Sequence, residues 1–172
     1  QCAGNMGRAQ NIETIFRAIE ILKGTEDIHF LFIGSGAKKH WMEIEVQKKQ
    51  LKNVTMLGQR PRRDQANFLN ACDIAMASLL PGMTGAGVPS RMYNIMAAGK
   101  SIIAIAESDS ELSFVTREEQ IGWVVPPDKP EKLAEAILDA RSNRQRLLHM
   151  GVRARLVAET KYPMDCIINA YY

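Results

Sequence analysis

Apolar residues along the chain recur in two spacings that alternate from one end to the other. Ile12, Ile15, Phe16, Ile19 and Leu22 keep the three-to-four-residue spacing of an amphipathic helix, which Gly24 terminates. His29 to Ile33 is a short apolar run that predicts a buried strand leading into Gly34-Ser35-Gly36. A charged helix is predicted from about His40 to Leu51, with Trp41, Ile44 and Leu51 on its apolar side. Val54 to Leu57 predicts the next strand, stopped by Gly58, and Pro61 suits the first turn of a short helix through Phe68 and Leu69.

The second half repeats the alternation. Strands are predicted over Asp73 to Ser78, Ser101 to Ala106 and Gly122 to Val125, and helices over Met92 to Ala98 and near Ser110 to Glu119. Pro126-Pro127 break the chain before two closing helices, Lys129 to Ala140 and Arg144 to Glu159. Strands alternating with helices imply right-handed βαβ units, hence a parallel sheet. The strands are almost wholly apolar, as burial on both faces requires. The predicted fold is α/β: a doubly wound, three-layer, Rossmann-like sheet spanning residues 1–172 as one domain. In such sheets ligands bind beyond the carboxyl ends of the strands, near the point where strand order reverses.

Composition narrows the chemistry. With 172 residues, 46% hydrophobic and 24% charged, the chain can build a core without staples. Its 6% aromatic content and net charge of +3 argue against nucleic acid as a partner. No apolar stretch approaches the ~20 residues of a membrane span. Cys2, Cys72 and Cys166 match no metal or redox spacing and read as reduced thiols of a cytoplasmic protein. His29, His40 and His149 are scattered, so no metal site is predicted. There is no nucleophile elbow and no Walker lysine. The opening Gln1-Cys2-Ala3-Gly4 has no Met and no preceding strand, and reads as cut from a longer protein.

Three loops carry the candidate chemistry. In Pro81-Gly82-Met83-Thr84-Gly85-Ala86-Gly87-Val88-Pro89-Ser90-Arg91, the glycines permit close backbone approach to a ligand, and Pro89 suits the first position of a helix. Free N–H groups at such a start bind anions, phosphate above all. Arg91 in the first turn opposes the helix dipole by ~0.3–1 kcal/mol unless an anion compensates it. Gly4-Asn5-Met6-Gly7-Arg8 offers a second such start, with Arg8 similarly placed and Gly7 supplying an amide. Gly34-Ser35-Gly36 is half of a dinucleotide fingerprint, since position 39 is Lys, and alone favours a structural turn. Glu118-Glu119 and Arg60-Arg62-Arg63 read as solvated faces.

Taken in order, Gly4-Asn5-Met6-Gly7, Phe30-Leu31-Phe32-Ile33-Gly34-Ser35-Gly36, Val54-Thr55-Met56-Leu57-Gly58, Ala71-Cys72-Asp73-Ile74 and Met96-Ala97-Ala98-Gly99-Lys100 resemble a known pattern. It is that of the C-terminal, nucleotide-sugar-binding domain of GT-B glycosyltransferases, family-4 retaining type (glycosyl transferases group 1), from about residue 3 to 160. The nearest branch builds bacterial polysaccharides and glycolipids. The resemblance implies one half of a two-domain enzyme, a nucleotide-diphospho-sugar donor with UDP the commonest nucleotide, and no metal or other cofactor. The acceptor would be bound by an N-terminal domain absent from this chain, which could also hold the enzyme at the inner membrane face. The fragment alone would bind donor without turning it over.

The same resemblance assigns roles. Gly34, Gly36, Gln59 and Arg60 would form the base pocket. Gly7, Gly85, Ala86, Gly87 and Ser90 would line the diphosphate and sugar through backbone and hydroxyl groups. Arg91 and Arg8 would stabilise the leaving diphosphate, while Gln10 sits near an expected Lys. The family's two Glu residues, eight positions apart, fall here on Ala86 and Asn94. Asn94 can still hydrogen-bond a ribose, more weakly than a carboxylate. This departure keeps two alternatives open: a nucleotide-sugar epimerase of the same fold, and a non-catalytic nucleotide-binding or scaffolding domain.

Overall fold

The computed structural model describes residues 1–7, 10–82 and 90–162. Its first half runs β1 (Cys2–Asn5), α1 (Ile12–Ile21), β2 (Phe30–Ser35), α2 (Lys39–Lys48), β3 (Val54–Leu57), a 3-10 turn (Arg62–Asp64) and α3 (Gln65–Asn70). The second runs β4 (Ile74–Ser78), α4 (Ser90–Ala97), β5 (Ser101–Ile105), α5 (Glu111–Glu118), β6 (Gly122–Val125), α6 (Pro130–Ser142) and α7 (Arg144–Lys161). The predicted α/β, doubly wound layout is present, with three differences of detail.

First, Cys2–Asn5 is a strand, although the sequence shows no strand ahead of its first loop. Only Cys2 of the four is buried, so the segment lacks the apolar run that marks the other strands. Second, β2 extends through Gly34 and Ser35, which pair with Gly4 and Asn5 of β1. Third, α2 buries Met42 while Ile44 is 47% exposed. Trp41 does pack inward, at 5.3 Å from the Phe16 ring. Met42 is the one fully buried residue of α2, and Ile44, two residues on, stands about 200° round the helix from it. Pro61 precedes the 3-10 turn and lies just outside it.

Every strand pair is parallel, in the orders β1-β2-β3 and β4-β5-β6. The two ladders meet at their amino ends, where the Gln1 backbone nitrogen donates to Ile74 O (2.9 Å) and the Met76 N–H donates to Gln1 O (2.7 Å). The combined order, 3-2-1-4-5-6, reverses between β1 and β4.

Side chains alternate across this sheet into two cores. Ile103 and Ile105 of β5, with Phe32 and Met76, face α1, α2 and α6. Ile102 and Ala104 of β5, with Ala75 and Ala77, face α4, α5, α7 and Leu69 of α3. The five residues of β5 are therefore all buried, which explains the unbroken hydrophobicity of Ile102 to Ile105. Ser110 caps α5 by accepting from the Ser113 N–H at 3.2 Å. The last helix crosses back over the sheet and is pinned there. Ser101 Oγ donates to Leu147 O at 2.6 Å, and a Cβ on Gly151 would stand 2.4 Å from Gly99 O.

Candidate functional site

Among the described residues, the Gln1 contacts are the only backbone hydrogen bonds between β1 and β4, the pair at which strand order reverses. Arg91, in the first turn of α4, reaches the carboxyl end of β1. Its Nη2 donates to Asn5 O at 3.0 Å, and its Nη1 lies 3.8 Å from Cys2 Sγ. Gly4 leaves room for the guanidinium: its φ is +116°, and a Cβ there would come within 3.2 Å of Arg91 Nη2. Arg91 thus satisfies the Asn5 carbonyl at the carboxyl end of β1, beyond the last backbone bond to β4 among the described residues.

A cleft of about 370 Å³ opens beside this side chain. Gly4, Asn5, Gln10, Ser90, Arg91 and Asn94 form its polar rim, and Phe68, Leu69, Ala75 and Met76 its apolar floor. None of the described residues lining it is acidic, and no carboxylate among the described residues pairs with Arg91. The Gln1 carboxamide and Gln10 Oε1, both on the lining, are buried without a hydrogen-bond partner among the described residues. A cation with no counter-ion and unpartnered amide groups make a site whose chemistry suits a polar, anionic ligand.

The predicted site residues distribute unevenly around this cleft. Ser90, Arg91 and Asn94 lie on it together. Gly7 is adjacent, since a Cβ on it would meet Asn5 Nδ2 at 3.1 Å. Gly34 and Gly36 serve strand contact directly: a Cβ on Gly34 would fall 2.0 Å from Gly4 O, and one on Gly36 2.5 Å from Met6 O. Residues 35–37 are nonetheless exposed, so the outer side of that turn is open. Gln59 and Arg60 are exposed beyond β3, outside the cleft; the Ile33–Leu57 register sets them beside the Gly34–Gly36 turn. Arg8, Gly85, Ala86, Gly87 and Pro89 lie outside the described residues.

Sequence reasoning missed the Asn5 carbonyl, Gln1 and Phe68. The Arg91–Asn5 bond joins residues 86 apart, and only the folded sheet brings them together. Elsewhere, burial pushes the Cys72 thiol up from its ordinary value, which suits an unreactive thiol. Glu119 is paired with Lys161 and is not a free acid. Among the described residues, no helix is long and apolar enough to cross a membrane.

Fold and cleft together define a doubly wound α/β chain with a polar cleft at the switch point. The chain belongs to the family Glycosyl transferases group 1, which residues 2–157 match. It is 42% identical over 137 residues to the Pseudomonas aeruginosa protein described as "Probable glycosyltransferase WbjE", covering 80% of this chain and 34% of that one. The chain therefore spans about a third of the length of that relative. Among solved structures it is similar to sucrose-phosphate synthase from Thermosynechococcus elongatus, with a TM-score of 0.81 and 23% identity over 99% of this chain and 43% of that one. It is also similar to Anabaena HepE, solved in complex with UDP-glucose, with a TM-score of 0.79 and 16% identity over 98% of this chain and 46% of that one. These two likenesses establish the GT-B type of Rossmann-like fold.

Proposed function

We propose that this chain is the C-terminal, donor-binding part of a retaining glycosyltransferase acting in polysaccharide or glycolipid assembly. Its donor is a nucleotide-diphospho-sugar, and its acceptor is bound by a part of the protein outside this chain. The observation that carries the reading is Arg91, set without a carboxylate partner among the described residues at the start of α4 on the switch-point cleft. As the bond from sugar carbon to diphosphate oxygen breaks, negative charge builds on the diphosphate. A fixed cation and the N–H groups of a helix start stabilise charge where it develops. Arg91 fills that role, Arg8 and the amides of Gly7, Gly85, Ala86 and Gly87 assist it, and no metal is needed. Ser90 and Asn94 then face the ribose and sugar side, while Gly34, Gly36, Gln59 and Arg60 frame the base. UDP is the proposed nucleotide, supported by the UDP-glucose held in the similar HepE structure.

Calorimetric titration of the complete protein with UDP, GDP, dTDP and ADP tests this reading. Binding of one of them is expected; no binding to any overturns it. The acid-free lining of the cleft favours one second reading, a nucleotide-binding domain that does not transfer. Binding without sugar transfer to any acceptor by the complete protein would select it.

A further inference from the structure

We propose that the outer face of α7 docks on an anionic lipid bilayer. The inner line of this helix (Leu147, Met150, Gly151, Ala154 and Val157) is buried against the domain. Its outer line is apolar as well: Leu148, Val152 and Leu156 are 58%, 71% and 58% exposed. Residues four apart stand one above another on a helix, so these side chains form a single row. At 3.6 residues per turn, Arg144 and Arg155 fall along one side of the row, and Arg146 and Arg153 along the other. Each side borders a hollow with further cations. One of about 500 Å³ carries Lys100 with Arg144 and Arg155, and one of about 1010 Å³ carries Arg117 with Arg146 and Arg153.

The row has Gln145 and Glu159 at its two ends, seven residues either side of Val152, but the arginines along its flanks outnumber that one acid, so the face matches an anionic membrane surface in charge as well as in polarity. The row can enter the boundary between headgroups and acyl chains, while the guanidinium groups extend along their stems to lipid phosphates. Arg144, Arg146 and Arg155 now pair with Asp73 (3.3 Å), Asp139 (2.9 Å) and Glu159 (2.6 Å), and Arg153 bonds Gln120 (2.6 Å). All four arrangements are exposed, and such pairs exchange readily for a phosphate. Arginine along both flanks favours an anionic lipid surface over an apolar protein face. The contacts of Ser101 and Gly151 hold α7 on the domain, so the row is presented as a fixed face.

Sedimentation of the complete protein with phosphatidylglycerol–phosphatidylcholine vesicles, and with pure phosphatidylcholine vesicles, tests the proposal. The native protein should bind the anionic vesicles and release them at high salt. Val152→Asp with Leu156→Asp should lower partitioning by about 10-fold or more. Val152→Asn with Leu156→Asn should lower it in the same direction without adding a negative charge. Arg153→Gln with Arg155→Gln should weaken binding to anionic vesicles alone. Unchanged partitioning in the row variants, or equal binding to both vesicle types, overturns the proposal. So does a fall in melting temperature or a change in solution mass on Val152→Asn, because the row would then be covered by protein.

Discussion

Replacing Arg91 by Ala separates two roles that the fold has given to one side chain. The change removes the 3.0 Å bond to Asn5 O and the only charge on the described lining of a 370 Å³ cleft. A hydrogen bond from a charged group contributes ~1.5–3 kcal/mol when buried. Arg91 is half-buried and the Asn5 carbonyl can turn to water in the open cleft, so the stability loss should be about 1 kcal/mol. For a domain of this size that lowers the melting temperature by roughly 2–4 °C. The loss in ligand binding should be larger and selective. A charge-assisted contact to a diphosphate is about twice as strong as a neutral one, so UDP affinity should fall by roughly 10- to 100-fold, or ~1.4–2.7 kcal/mol. Uridine, which has no phosphate, should be bound almost as before. Calorimetry with both ligands and a thermal melt of the same preparation measure all three quantities. Equal losses for UDP and uridine, or a lowered melting temperature with unchanged UDP affinity, would refute the anion role and leave Arg91 as a strut. Arg91→Lys should restore part of the UDP affinity, because it keeps the charge but not the planar fork.

Three further outcomes follow from the packing. Gly34→Ala forces a Cβ to within 2.0 Å of Gly4 O at a φ of +143°, so it should abolish soluble expression or cost more than about 4 kcal/mol by denaturant unfolding. Phe16→Ala removes a ring that lies 5.7 Å from Phe32 and 5.3 Å from Trp41, and should cost ~3–5 kcal/mol while leaving the UDP affinity of the folded fraction unchanged. Ser110→Ala deletes the cap of α5 and should lower stability by about 1 kcal/mol with no change in nucleotide binding.

The layout of the fold was legible because its evidence is local. The Ser101–Ile105 run has no polar interruption after Ser101, and only a strand covered on both faces needs that. The 3.6-residue spacing of Ile12 to Ile19 likewise marks the buried side of α1. Where local signals are thin, sequence reasoning misplaces things. The segment CAGN is a strand through its pairing with β2, and nothing in four residues with one buried side chain announces it. In α2 only Met42 is fully buried, so spacing alone could not decide that Ile44 faces water. The site was half legible. An arginine at a helix start after a glycine-rich loop is visible as a pattern, and the structure places Arg91, Ser90 and Asn94 on one cleft. That Arg91 is already bonded to β1 was invisible, as was the strand-packing duty of Gly34 and Gly36.

The way β1 and β4 meet has a thermodynamic consequence. Among the described residues, backbone bonds tie them only at Gln1, and at the other end of β1 the Asn5 carbonyl accepts from the guanidinium of Arg91 instead. On the proposed function, a diphosphate that draws Arg91 away from Asn5 O must break that bond first. Strand and ligand then compete for one guanidinium, and the strength of the Arg91–Asn5 bond is subtracted from the affinity for the anion.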